Sequence, residues 1–275
     1  MPDCTQKFFL ANGELFPIAG FDHFFCPGPD YIYEVFRVIE GIPLFIEDHI
    51  ERFFQTTSLA GAFVSVDRNV LLGDIKTIIK ANGVNEGNIK IAITPGKSGK
   101  ENLLIYFTPH QYPAHEQFSR GVVVRLLEAE RHNPNAKVMD TSLRAETDKI
   151  KQQEEVYEIL LVDHEGFITE GSRSNVFFVK GSAIITPPLE MVLPGVTRKH
   201  IIALCLTNGI DLKEEKVHFS DVPAFDALFL SGTSRKVLPI CQVDKTCYPV
   251  NNELMMRVSA LFNAHVAGYI SSHQL

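Results

Sequence analysis

Short apolar runs closed by turn residues recur along the whole chain, and they constrain its fold more than any other feature. NIKIAITPG (88–96), GVVVRLLEAER (121–131), EILLVD (158–163), SNVFFVK (174–180) and ALFLSG (227–232) are rich in Val, Ile, Leu and Phe. Bounded by Gly, Pro, Asn and Asp, runs of this kind read as buried strands. KFFLANGELFPI (7–18) and IYEVFRVIEGIPLFI (32–46) read as hairpins around Asn12-Gly13 and Glu40-Gly41. Between the strands lie helical segments: EDHIERFFQTTSLAGA (47–62), NVLLGDIKTIIKANG (69–83), LRAETDKIKQQEEV (143–156), VTRKHIIALCLTNG (196–209) and NELMMRVSALFNAHV (252–266). Strands and helices alternating without a repeat predict a mixed α/β (α+β) protein.

At 275 residues the chain is long enough for two cores. The polar PHQYPAHEQFSRG (109–121) reads as the join, so the expected division is an N-terminal domain over 1–113, a linker over 114–120 and a C-terminal domain over 121–275. A formal net charge of −7 without a run of Lys and Arg argues against nucleic acid or an anionic membrane as partner. Five cysteines without CxxC spacing suggest no zinc site and no disulfide framework, so no metal is expected and a reducing cytoplasm is the simplest location. The N-terminus shows no secretory pattern, and no window is apolar enough to span a membrane, so the chain reads as cytosolic and unprocessed.

One apolar run has an unusual neighbour. In EGSRSNVFFV (170–179), Glu170 and a polar turn stand directly before a stretch that must be buried. Gly171 tolerates positive φ, and Ser172, Ser174 and Asn175 hydrogen-bond local backbone. Alone, Glu170 reads as a solvated hairpin-end acid. Other polar groups also fall at element boundaries: Lys137 between a strand and a helix, Arg52 off the Ile50–Phe53–Phe54 face of its helix, and Gly232-Thr233 at a strand end. Gly195-Val196-Thr197 begin a helix whose exposed NH groups suit a phosphate. An amine, a carboxylate and a phosphate cradle are the parts pyridoxal phosphate needs.

These segments resemble class IV (fold-type IV) pyridoxal-phosphate aminotransferases, the group that includes branched-chain aminotransferases, D-amino-acid transaminases and aminodeoxychorismate lyases. The resemblance rests on HIERF (49–53), Lys137, EGSRSNVFFV, the TPP and LPGVTR of 186–198, and LSGTSRKVLPI (230–240), in that order, over about Asn12 to Pro239. It implies a smaller N-terminal α/β domain, a larger C-terminal pseudo-barrel domain and pyridoxal 5'-phosphate as cofactor. It makes Lys137 the Schiff-base lysine and proton shuttle, and pairs Glu170 with the pyridine nitrogen, Asn175 standing beside it. Arg52, the Val196 amide, Thr197 and Thr233 would hold the phosphate. It also implies a cytoplasmic homodimer in amino acid metabolism, acting on an amino acid and a 2-oxo acid. The expected reaction is amino transfer from a branched-chain or other apolar L-amino acid. Two alternatives stand beside it: lyase-type cleavage on the same cofactor, and a degenerate non-catalytic binding or interaction protein.

Departures from the pattern fall on the substrate side. The run after Lys137 is VMDTSLRAE, with no tyrosine, and Thr94-Pro95-Gly96 stands where D-amino-acid transaminases carry an arginine for the substrate carboxylate. In GPDYIYEVFR (28–37), Tyr33-Glu34 keep the family register while the glycine turn is rebuilt. Tyr33, Arg37 and Ser234 are the expected substrate contacts, with Arg173 and Arg235 as further candidates for the carboxylate.

Overall fold

Asn12 and Gly13 adopt left-handed backbone angles, with φ of 51° and 84°, and Glu40 and Gly41 repeat the pattern at 52° and 78°. Two-residue turns of this kind match strand twist, so each closes a hairpin. A computed structural model describes residues 3–28, 30–62, 66–95, 101–131 and 133–274. Gly96 and His132 lie outside the described residues. Two compact units make up the chain, one of Met1–Gln111, Ala136–Thr141 and Gly268–Leu275, the other of Tyr112–Asn135 and Ser142–Ala267.

The first unit contains β1 (Phe8–Ala11), β2 (Glu14–Pro17), α1 (Phe21–Phe24), β3 (Ile32–Ile39), β4 (Ile42–Pro43), α2 (Ile46–Leu59), α3 (Arg68–Asn82), β5 (Gly87–Pro95) and β6 (Glu101–Thr108). Its antiparallel sheet has the order β2-β1-β6-β5-β3-β4. Strand alternation sends Phe36, Val38, Ile89 and Ile91 into one core with Ile50 and Phe53 of α2 and Ile75 and Ile78 of α3. The opposite face buries Tyr31, Tyr33, Ala92, Leu104 and Tyr106 with Phe9 and Phe21. The second arm of the 32–46 hairpin ends after Pro43, because Phe45 turns left-handed at φ 52° to start α2.

The second unit contains α4 (His115–Arg120), β7 (Val122–Glu128), α5 (Thr141–Gln153), β8 (Glu158–Val162), β9 (Phe167–Gly171), β10 (Asn175–Lys180), β11 (Ala183–Thr186), α6 (Val196–Thr207), β12 (Asp211–Glu214), β13 (Val217–His218), β14 (Ala227–Gly232), β15 (Lys236–Val243) and β16 (Thr246–Cys247). Helix α7 (Glu253–His273) ends the chain, continuing past Gly268 instead of stopping near Val266. Ten strands form one sheet, ordered β12-β11-β10-β14-β15-β7-β8-β9-β13 with β16 on β15. Strands β9 and β10 are separated in it by β14, β15, β7 and β8, a distance of about 24 Å in a flat sheet. Yet only Ser172, Arg173 and Ser174 join them, a span of about 14 Å at full extension. The sheet must therefore curl, and a bridge between Gly171 and Ser174, with Gly171 N donating to Ser174 O at 2.7 Å, marks the closure. Inside the curl lie Val124, Leu160, Val176, Phe178, Leu228, Leu230, Leu238 and Ile240.

Two local readings change. Residues 114–120, expected as a linker, contain α4. Phe167–Gly171, between the expected strands EILLVD and SNVFFVK, is strand β9, so Glu170, which alone reads as a hairpin-end acid, is a strand residue. Gly171 has no positive φ. Glycine is required there for space, since a Cβ would lie 2.1 Å from Ser174 Oγ.

Candidate active site

In the first unit, a helix and a strand meet through charge. Glu34 of β3 is completely buried and faces α2, whose Arg52 donates from Nε to Oε2 at 2.9 Å and from Nη2 to Oε1 at 2.6 Å. His49 Nδ1 lies 3.1 Å from Oε1, and the Val35 amide donates to the same oxygen at 2.8 Å. Burial by itself would raise the Glu34 pKa, but Arg52 and His49 outweigh it and hold the carboxylate well below its usual range. Burial also pushes the His49 pKa down against the pull of Glu34, so the imidazole is neutral and donates from Nδ1. Arg52 thus belongs to the buried side of α2, where the apolar spacing alone would not put it.

The same unit fastens Lys137 by its backbone. Its amide donates to Thr56 Oγ1 of α2 at 3.2 Å, and its carbonyl accepts from Tyr33 N at 3.1 Å. Ile32 and Val138 form an antiparallel bridge beside it, and Met139 N donates to Tyr31 O. The Lys137 ammonium stands 4.7 Å above the Tyr33 ring centroid, a cation–π contact. A second amine, this one buried, is near that ring. Lys90 Nζ lies 5.7 Å from the Tyr33 centroid, 2.6 Å from Tyr31 Oη and 3.3 Å from Asp3 Oδ2. Its sequence signal was a lone lysine inside IKIAI.

In the second unit, Glu170 and Asn175 converge on Leu193. Glu170 Oε2 accepts from Leu193 N at 3.2 Å, while Asn175 Nδ2 donates to Leu193 O at 3.0 Å. Arg131 Nε lies 2.7 Å from Glu170 Oε1, and Arg131 Nη2 donates to Ser172 O at 2.8 Å. Arg131 was not singled out from sequence; an arginine closing an apolar strand carries no signal of its partner. Two residues after Leu193, Gly195 opens α6 with no side-chain cap on the helix NH groups. A Cβ on Gly195 would lie 2.0 Å from Asn175 Oδ1, so any larger residue there would push the Asn175 amide from its place. Val196 and Thr197, its first residues, are buried.

Asn175 is also the register partner of Ser231, which is fully buried and whose Oγ has no hydrogen-bond partner among the described residues. Thr233 and Ser234 follow in the half-buried turn between β14 and β15. Glu170, Asn175, Val196, Thr197 and the 231–234 strand end are therefore linked through Leu193, Gly195 and Ser231. Each arginine considered for a substrate carboxylate already holds a protein one. Arg37 pairs with Glu86 at 3.4 Å, Arg235 with Glu158 at 3.0 Å, and Arg173 with Asp148.

The first unit contributes an amine on a fixed backbone, and the second contributes a buried carboxylate, an uncapped helix start and a buried hydroxyl without a partner among the described residues. The family profile for amino-transferase class IV matches residues 31–243, and the chain belongs to that family. The chain is 26% identical over 240 residues to a putative branched-chain-amino-acid aminotransferase of Methanocaldococcus jannaschii, covering 82% of this chain and 83% of that one. It is 25% identical over 225 residues to D-alanine aminotransferase of Bacillus licheniformis, covering 78% and 79%. In fold it is similar to the branched-chain amino acid aminotransferase of Escherichia coli, at a TM-score of 0.85, 20% identity and coverage of 96% of each chain. Class IV aminotransferases work on pyridoxal phosphate, and the residues present fit it. Ser231 Oγ is an unanswered donor, and Gly195 leaves the α6 NH groups open to a phosphate.

Proposed function

We propose that this class IV aminotransferase moves the amino group of a branched-chain or other apolar L-amino acid to a 2-oxo acid, with Lys137 as its catalytic amine. The observation that carries the role of Lys137 is its double backbone anchorage to Thr56 and Tyr33, which fixes where the side chain starts. Once bound, pyridoxal phosphate supplies an electron-withdrawing ring that acidifies the substrate Cα–H. With the cofactor bound, Lys137 Nζ would be the group that accepts that proton and returns it. Glu170 would pair with the ring nitrogen and hold its proton, with Arg131 at 2.7 Å keeping the carboxylate in place. The Val196 and Thr197 amides, with Thr233, would hold the phosphate at the positive end of α6. Arg52 gives Nε and Nη2 to Glu34, and its proposed part in phosphate binding stands beside that pairing.

Thr94-Pro95 supports the L-amino acid reading, since no arginine stands at that position. We place Tyr33 and Ser234 at the substrate. The working form is taken to be a homodimer in the cytoplasm, and five free thiols support the reducing compartment. No helix among the described residues is long and apolar enough to cross a membrane. The test is the absorbance of the purified protein between about 300 and about 500 nm, the range of the cofactor's forms, before and after adding L- and D-amino acids. An apolar L-amino acid should convert the spectrum to the pyridoxamine form and release its 2-oxo acid. A spectrum changed only by D-amino acids would overturn the substrate assignment, and one changed by no amino acid would overturn transamination.

A further inference from the structure

Behind the turn that closes the curled sheet lies a second buried carboxylate. Glu158, the first residue of β8, is fully buried, and its hydrogen-bonding capacity is filled from three directions. Oε1 accepts from Ser172 Oγ at 2.5 Å and from Ile159 N at 3.0 Å. Oε2 accepts from Ser174 Oγ at 3.1 Å and meets Arg235 Nη2 at 3.0 Å. Ser172 and Ser174 belong to the turn between Glu170 and Asn175. Arg235 belongs to the turn that also contains Thr233 and Ser234, and its Nη1 donates to Arg173 O at 2.9 Å, tying the two turns directly. Below it lies the Tyr157 ring, 5.4 Å from the guanidinium carbon. Space is equally constrained: a Cβ on Gly171 would lie 3.2 Å from Glu158 Cγ.

We propose that Glu158 is a positioning residue that sets the geometry of both turns at once, acting on the cofactor through Ser172, Ser174 and Arg235 without touching it. This rests on the assignment of Glu170 and Thr233 to the cofactor. A carboxylate suits the task because it accepts several hydrogen bonds at once, from two hydroxyls, an amide and a guanidinium. Glutamine at this position would keep the shape but offer one acceptor oxygen and an NH2 that opposes Arg235.

The test titrates apo-protein with pyridoxal phosphate for wild type, Glu158→Gln, Ser172→Ala/Ser174→Ala and the combined triple variant, and follows the thermal midpoint of each apo-protein. Glu158→Gln is expected to weaken cofactor binding about tenfold or more, the size of one lost charged hydrogen bond. The serine changes should weaken binding in the wild-type background but by less than about twofold once residue 158 is glutamine, because residues in one network do not add. Should Glu158→Gln fail to fold, Glu158→Gln/Arg235→Met removes both charges together and should show the same loss of affinity. A lowered thermal midpoint with unchanged cofactor affinity would overturn the proposal and leave Glu158 a purely structural residue. Additive effects of the serine and Glu158 changes would also overturn it. A wild type that takes up no cofactor would instead overturn the assignment on which the proposal rests.

Discussion

Glu34 and Glu158 are both fully buried and both meet a guanidinium, one in each unit, yet they connect different things. Glu34 joins one strand to one helix, β3 to α2, and its side-chain partners His49 and Arg52 lie 15 and 18 residues away. Glu158 joins a strand to two turns, with partners 14, 16 and 77 residues away. The first is a strut between two elements already packed through Phe36, Ile50 and Phe53. The second is a tie between loops that have little apolar packing of their own. Breaking a strut should lower stability, whereas breaking a tie should lower the precision of a site.

The largest effect expected anywhere in the chain is on Lys137, which the strut supports only through α2. Lys137→Ala should lower turnover by about 10⁴-fold, the upper range for a general acid–base group, with little change in thermal midpoint. Steady-state rates with the best amino acid measure it. Retained turnover would sever the catalytic role from the first unit.

Next comes the strut itself. Arg52→Ala leaves the Glu34 carboxylate buried without its main partner and should destabilise the apo-protein by about 3–5 kcal/mol, read from urea denaturation. Glu34→Gln/Arg52→Met removes both charges and should cost much less. Equal losses for the single and double changes would erase the distinction between pairing and packing.

A smaller effect is expected where the tie's neighbourhood is tightest. Gly195 has φ −64°, accessible to alanine, so any effect of Gly195→Ala comes from the 2.0 Å approach of its Cβ to Asn175 Oδ1. Displacing Asn175 or the α6 start should cost about 1–3 kcal/mol, shared between stability and cofactor affinity. Titration calorimetry with pyridoxal phosphate would show whether affinity takes the larger share, as a site-forming turn requires.

Acid should separate the two carboxylates from His49. The His49 pKa is depressed in the folded protein, so the unfolded chain binds the extra proton first, and stability falls as pH drops below about 6.5. Glu34 and Glu158 are also depressed, despite burial, by Arg52 and Arg235 respectively; their contributions are complete above about pH 4.5 and are lost as pH falls toward their folded values. His49→Gln should therefore flatten the limb that begins below about pH 6.5 and leave the lower limb in place.

Much of this was legible in the sequence where local chemistry decides structure. The Asn12-Gly13 and Glu40-Gly41 turns, the α3 stop at Gly83 and the α6 start at Gly195 all follow from turn and cap residues acting on their neighbours. Partners distant in sequence were not legible. Glu34 reads as a register mark until Arg52 is seen to face it, and Glu158 reads as the polar edge of EILLVD until two turns fold onto it. Helix α7 overran its expected end at Val266 because Gly268 sits exposed within it and the buried Ile270 continues its apolar side, so the weak helix propensity of one glycine is overridden. The strand character of Phe167–Gly171 was hidden by Gly166 and Gly171 at its edges, which mark a turn and a close contact respectively.

The most direct test of the account is to load the protein with pyridoxal phosphate, reduce it with borohydride and locate the added group by peptide mass mapping. The account predicts modification at Lys137 alone, lost in Lys137→Ala. Modification at Lys90, a buried amine also near the Tyr33 ring, would contradict it and move the reactive centre to β5.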